Sequence, residues 1–228
     1  MRIDGRSVLL AVLITSQSKR MGMTDVLVPG GRDVRATLTE PDAETDAIVV
    51  ACPPHPQQGG SRSDSRLVAV ADRLRENGVA CLRFDYGEWD EGYGEREDVR
   101  NAIRWATERY DRVGLFGYSF GASLSLLTAA DVDPAPDAVA VLAPAARLAD
   151  DLDAAAALRS LPSETPVRIL YGERDTTVDW EPVVERARER GDEVTALPAD
   201  HFFLGKREAI AEAAAGFFEG ELLESGSQ

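Results

Sequence analysis

From Asp25 onward, short apolar runs rich in valine, leucine and alanine alternate with longer segments whose apolar residues recur at helical spacing. Strands buried on both faces read as continuous apolar runs, and strands separated by helices pair in parallel. The alternation therefore predicts an α/β fold: a mostly parallel sheet with helices on both faces. Two early β runs, Asp25–Pro29 and Val34–Glu40, flank Gly30-Gly31, which predicts a hairpin and one antiparallel strand. Further strands are expected at Ala47–Ala51, Val79–Phe84, Arg112–Phe116, Ala138–Leu142, Val167–Tyr171 and Glu193–Leu197. Helices are expected over Ser65–Asn77 (stopped by Gly78), about Arg96–Tyr110, from the Ser119 turn to about Ala130, and about Lys206–Leu223. That makes eight strands, the second antiparallel.

A chain of 228 residues with 44% hydrophobic content is long enough for one full domain and too short for two ordinary ones. That domain is expected over residues 23–224, with 225–228 as a tail and 1–22 as an N-terminal extension. Within the extension, Val8–Ile14 is apolar but too short to span a bilayer. It follows Arg2 and Arg6 without a small-x-small cleavage site, so an upstream start codon is a simpler account than a signal peptide. On that reading the working chain starts near Met21 or Met23 and stays in the cytoplasm, with no membrane partner.

The charge balance narrows the partners. Against 40 acidic residues stand 25 basic ones, a formal net charge of −15, and Lys19 and Lys206 are the only lysines. Such a chain resembles proteins of a salt-loaded cytoplasm such as that of haloarchaea. At molar salt the Debye length is about 3 Å, so a like-charged surface barely repels itself yet remains hydrated. No basic stripe is present to neutralise phosphates, which excludes nucleic acid as a partner. Cys52 and Cys81 fall inside apolar strands and read as buried free thiols. With two histidines in the chain, a zinc cluster lacks ligands.

Chemistry concentrates at Gly117-Tyr118-Ser119-Phe120-Gly121, a G-x-S-x-G between a strand and a helix. A serine there sits on a sharp, strained turn, where a Cβ at either flanking glycine would strike the adjoining strand or helix. The turn lifts the hydroxyl above the sheet, at a helix N-terminus that favours developing negative charge. A serine needs a base within hydrogen-bond reach. His201, after the last expected strand, is that candidate, and Asp175, beyond Val167–Tyr171, is the carboxylate that would orient it. Asp179 is the rival acid, less favoured because it lies farther from the strand end. The backbone N–H of Phe120 is the expected first oxyanion donor. Prolines at 53, 54 and 56 have no N–H, so a second donor from that loop must be His55 or Gln57. The His55 side chain is expected to fix the loop by hydrogen bonding rather than to act as a second base.

The order Ser119…Asp175…His201 in strand–turn–helix context resembles the α/β-hydrolase superfamily over nearly the whole chain from Met23. The likeness is strongest to small, lid-poor hydrolases related to the dienelactone hydrolase group. His55-Pro56-x-x-Gly59-Gly60-Ser61 resembles the H-P-x-x-G-G-[ST] loop of one subset, and Leu82-Arg83-Phe84-Asp85 matches its strand ending. The subset continues with R-G-x-G-x-S, whereas Tyr86–Gly92 here lacks the arginine and the serine. Dienelactone hydrolases proper carry a cysteine nucleophile where this chain has Ser119. The resemblance implies an α/β-hydrolase fold, a small ester-like substrate, an acyl-enzyme and no cofactor. The same three residues would equally serve a thioesterase, lactonase or acyltransferase, and a non-catalytic binding protein of the same fold is the alternative of another class. In place of a lid there is one alanine-rich stretch, Leu148–Leu161, expected to be a single helix, with Trp89, Phe120, Phe202 and Phe203 as candidate lining of an open site.

Overall fold

The computed structural model describes residues 22–32 and 34–223, so nearly all of the expected N-terminal extension and the whole 225–228 tail lie outside the described residues. In chain order the strands are β1 (Met23–Val28), β2 (Val34–Thr39), β3 (Ala47–Cys52), β4 (Ala80–Phe84), β5 (Arg112–Tyr118), β6 (Ala138–Leu142), β7 (Arg147–Ala149), β8 (Leu152–Asp153), β9 (Val167–Gly172) and β10 (Glu193–Leu197). The α-helices are α1 (Ser65–Glu76), α2 (Tyr93–Thr107), α3 (Phe120–Ala129), α4 (Ala154–Ser160), α5 (Glu181–Arg190) and α6 (Arg207–Leu223). Eight strands form one sheet in the order β1-β2-β4-β3-β5-β6-β9-β10. β2 runs antiparallel to both of its neighbours, and the remaining pairings are parallel. The expected hairpin is present, closed at Val28 opposite Val34.

Period-two alternation divides the sheet between two cores. Ile48, Val50 and Cys52 of β3 pack with residues from α2, α3, α4 and α5, whereas Ala47, Val49 and Ala51 face α1 and α6. All six residues of β3 are buried, which is why the segment is uniformly apolar. Cys52 and Cys81 are free and buried, and burial pushes both thiols up to about 12, so neither is a nucleophile.

Two expectations need correction. Leu148–Leu161 is not one helix: β7 and β8 form a small antiparallel hairpin, and only Ala154–Ser160 is helical. The Asp153 carboxylate accepts the Ala156 N–H, so the helix cannot start earlier than this cap. The helix expected from Arg96 starts at Tyr93. Glu95 explains the earlier start, because its buried carboxylate accepts the N–H groups of Asp90 (2.9 Å) and Gly92 (2.8 Å) and ties the acidic loop to the helix.

One more buried carboxylate fixes the loop after β4. Asp98 accepts from Gly87 N–H at 2.9 Å and from Arg32 Nε at 2.8 Å, the arginine reaching in from the β1–β2 turn. Burial pushes the Asp98 carboxyl up, against the pull of that N–H and of Arg32.

Candidate active site

The site is assembled from loops at the C-terminal ends of parallel strands, where open α/β sheets leave a crevice. The central one is the turn from β5 to α3. Ser119 has φ 56° and ψ −117°, a conformation that a residue with a side chain adopts only under constraint. The constraint is visible: its N–H donates to the Leu142 carbonyl of β6 at 2.8 Å, and its carbonyl accepts from Ala122 at 2.9 Å. The flanking glycines are obligatory. A Cβ on Gly117 would overlap the Gly121 carbonyl and the Ser125 hydroxyl, and one on Gly121 would overlap the carbonyls of Cys52 and Pro53. Both the strand and the helix therefore approach too closely for any larger residue.

The structure brings the three expected side chains into one hydrogen-bonded chain. Ser119 Oγ lies 2.9 Å from His201 Nε2, and His201 Nδ1 lies 2.7 Å from Asp175 Oδ2. Ser119 is half-buried, whereas His201 and Asp175 are buried. The other Asp175 oxygen accepts the Thr177 N–H at 2.9 Å. Asp179, the rival acid, is exposed, and its carbonyl accepts from Ala146. The two loops that carry Asp175 and His201 are laced together. Glu173 N–H donates to the Leu197 carbonyl at 2.9 Å and Arg174 N–H to the Ala199 carbonyl at 3.0 Å.

Phe120 is the first residue of α3, so its N–H is among those with no partner inside the helix. The loop after β3 forms a short 3₁₀ turn, Pro56–Gln58, capped by His55. The His55 carbonyl accepts from Gln58 and Gly60, both at 3.0 Å, which closes the loop on itself. Pro54, His55, Gln58 and Gly59 line the cleft of about 190 Å³ beside Ser119, and Gln57 sits exposed on the turn, outside that lining.

The His55 side chain departs from expectation. It fixes the loop by packing, with its ring 4.6 Å from Trp89 and 4.9 Å from Phe120, and its buried Nδ1 has no hydrogen-bond partner among the described residues. Desolvation lowers its pKa, so the ring is neutral at pH 7. Of the other aromatics, Phe202 is 58% exposed at the cleft mouth, whereas Phe203 is core, edge-on to Tyr118.

The Leu82–Asp85 strand ending serves the same loop. Arg83 Nη1 donates to the Arg62 carbonyl at 2.6 Å, and Asp85 accepts the Arg62 N–H at 2.7 Å. Sequence reasoning missed Asp64, Arg66 and Tyr118, which also line the cleft. Asp64-Ser65-Arg66 reads as a helix cap, and nothing in its local pattern shows that Arg66 reaches Phe202, 136 positions away.

The X-Pro dipeptidyl-peptidase (S15) family matches residues 83–195, a span that holds Ser119 and Asp175 and ends before His201. No curated protein sequence matches the chain. Among solved structures, an α/β serine hydrolase homologue from Coxiella burnetii is 26% identical with a TM-score of 0.71, over 85% of this chain and 96% of that one. An α/β serine hydrolase without lid from Xanthomonas campestris is 23% identical with a TM-score of 0.73, over 88% and 95%. A dienelactone hydrolase from Anabaena variabilis is 23% identical with a TM-score of 0.71, over 88% and 98%. By its sheet order, its crossover helices and a likeness that spans nearly the whole of each relative, this chain is an enzyme of the α/β-hydrolase class.

Proposed function

We propose that the enzyme hydrolyses small carboxylic esters, with Ser119 as nucleophile, His201 as base and Asp175 as its orienting acid. The observation that carries this reading is the unbroken relay of 2.9 Å and 2.7 Å from a strained serine through a buried imidazole to a buried carboxylate. Ser119 Oγ attacks the acyl carbon while its proton passes to His201 Nε2. The oxyanion is received by the Phe120 N–H and by a donor from the His55–Gln58 loop. The C–O bond to the alcohol then breaks, and the departing oxygen takes the proton from Nε2. Water attacks the acyl-enzyme by the same route in reverse, releasing the acid and restoring Ser119. Asp175 stabilises the imidazolium formed in each half. A cleft of about 190 Å³ favours a small acyl or alcohol group.

The same reading has the protein working in a salt-loaded cytoplasm. Its net charge of −15 and its near-absence of lysine support that. No helix among the described residues is long and apolar enough to cross a membrane.

The family match favours a second reading, cleavage of a peptide after proline. Against it stands the cleft's Asp64, whose carboxylate is committed to Arg66 and is not free to hold a peptide's N-terminal ammonium.

The test is intact-mass analysis after treatment with a fluorophosphonate in molar potassium chloride, for wild type and Ser119→Ala, beside rates on p-nitrophenyl acetate and Gly-Pro-p-nitroanilide. An adduct on wild type alone, with ester turnover far above anilide turnover, is the expected result. Preferential anilide turnover would transfer the enzyme to the peptidases. No adduct on folded wild type would favour a ligand-binding protein, and faster turnover of thioester or lactone substrates would rename the substrate class.

A further inference from the structure

The turn that bears His201 is held by two donors outside the relay. The Tyr118 hydroxyl donates to the His201 carbonyl at 2.8 Å, and Arg66 Nη1 donates to the next carbonyl, that of Phe202, at 2.9 Å. The two donors are packed on each other, with the Arg66 guanidinium carbon 4.3 Å from the centre of the Tyr118 ring. Arg66 is anchored in turn by Asp64, which accepts from its Nε at 2.9 Å, from its Nη2, and from its backbone N–H at 2.9 Å as the cap of α1. Guanidinium and carboxylate thus use up one another's strongest valences, and what Arg66 has left points at the base loop. Burial pushes the Tyr118 phenol up to about 12, so it is a neutral O–H donor throughout the working range.

This matters because His201 lies on an irregular loop between β10 and α6, with no ladder of its own to fix it. A base displaced by about 1 Å loses about a hundredfold in rate, since proton transfer requires hydrogen-bond contact. Two successive carbonyls gripped from two different elements, the end of β5 and the start of α1, define both the position and the tilt of the peptide between them.

We infer that Arg66 and Tyr118 are positioning residues: together they clamp the carbonyls of His201 and Phe202 and so set the imidazole at its distance from Ser119. The inference rests on the proposed roles of Ser119 and His201. Arg66 lines the cleft, which makes substrate binding the competing role, but three of its five guanidinium N–H donors are already committed to Asp64 and Phe202.

The experiment compares kcat and KM on p-nitrophenyl acetate for Tyr118→Phe, Arg66→Met and the double variant, with Ser119→Ala alongside. Expected are kcat losses of about tenfold for Tyr118→Phe and about a hundredfold for Arg66→Met, with KM within about twofold of wild type. The double variant should fall no further than Arg66→Met, because both side chains hold one loop. A KM increase at unchanged kcat would make Arg66 a substrate contact, and losses that multiply would make the two residues independent; either overturns the clamp. If Arg66→Met fails to fold, Tyr118→Phe decides alone, since it deletes one oxygen and keeps the ring. Ser119→Ala separates the failures. If it retains activity, the assignment of the nucleophile falls; if it is inactive while Tyr118→Phe keeps wild-type kcat, only the clamp falls.

Discussion

Ser119→Ala should lower ester turnover by about 10⁴- to 10⁶-fold while leaving the fold intact. The loss is large because the hydroxyl is the group that bonds to the acyl carbon, and no other hydroxyl lies within contact of His201 Nε2 among the described residues. The residue that remains keeps its Cβ, so the strain at φ 56° is the same in both proteins and no new cavity opens in the core. Melting temperature should therefore move by no more than a few degrees. Residual rate would come from the oxyanion donors and from substrate positioning. Steady-state hydrolysis of p-nitrophenyl acetate with a thermal melt on the same samples is sufficient. Retention of more than a tenth of the activity would remove Ser119 from the chemistry.

Asp175→Asn should cost nearly as much, about 10⁴-fold in kcat, whereas Asp179→Asn should change it by less than about twofold. In the native site one Asp175 oxygen accepts the Thr177 N–H and the other faces His201 Nδ1. An asparagine keeps its carbonyl oxygen on Thr177 and turns its amide N–H₂ toward the ring. That donor requires Nδ1 to accept, which places the ring proton on Nε2, where it can no longer take the proton of Ser119. The imidazolium also loses its counter-charge. Asp179 carries an exposed side chain outside the relay. Equal losses in both variants, or the larger one at Asp179, would reassign the orienting acid.

Most of the frame was legible in one dimension because burial on both faces leaves a signature. β3 is fully buried and reads as an uninterrupted apolar run; β6 and β10 were delimited to the residue. The elbow was legible for a different reason: at Gly117 and Gly121 the close approach of backbone forbids any side chain, and that prohibition is written as glycine. What escaped depends on partners far away in sequence. The β7–β8 hairpin is too short to show a period, and Asp153, which caps α4, is one acidic residue among several. Phe202 and Phe203 look alike in sequence, yet one is at the cleft mouth and the other in the core. Arg66 and Tyr118 act through backbone carbonyls, which any residue supplies, so no residue pattern betrays the contact.

The proposed proton acceptor hangs from the rim of the sheet. β10 pairs with β9 alone, and of its five residues only Leu197 is buried, so little apolar surface opposes its detachment. Fraying there would leave the His201 turn held only by Tyr118, Arg66 and the Asp175 loop, and so loosen the base while β1 to β6, with the bulk of both cores, stayed assembled. Trp180 would register the event, because its indole N–H donates to the Asp175 carbonyl at 3.0 Å and its ring stacks on Tyr171, which pairs with Ala196 of β10. On titration with urea, turnover should vanish at a lower concentration than the one at which the helical circular dichroism of the whole domain is lost. Catalytic competence then reports the integrity of a single marginal strand, and endurance of the enzyme can be raised at that rim without altering any group that touches the substrate.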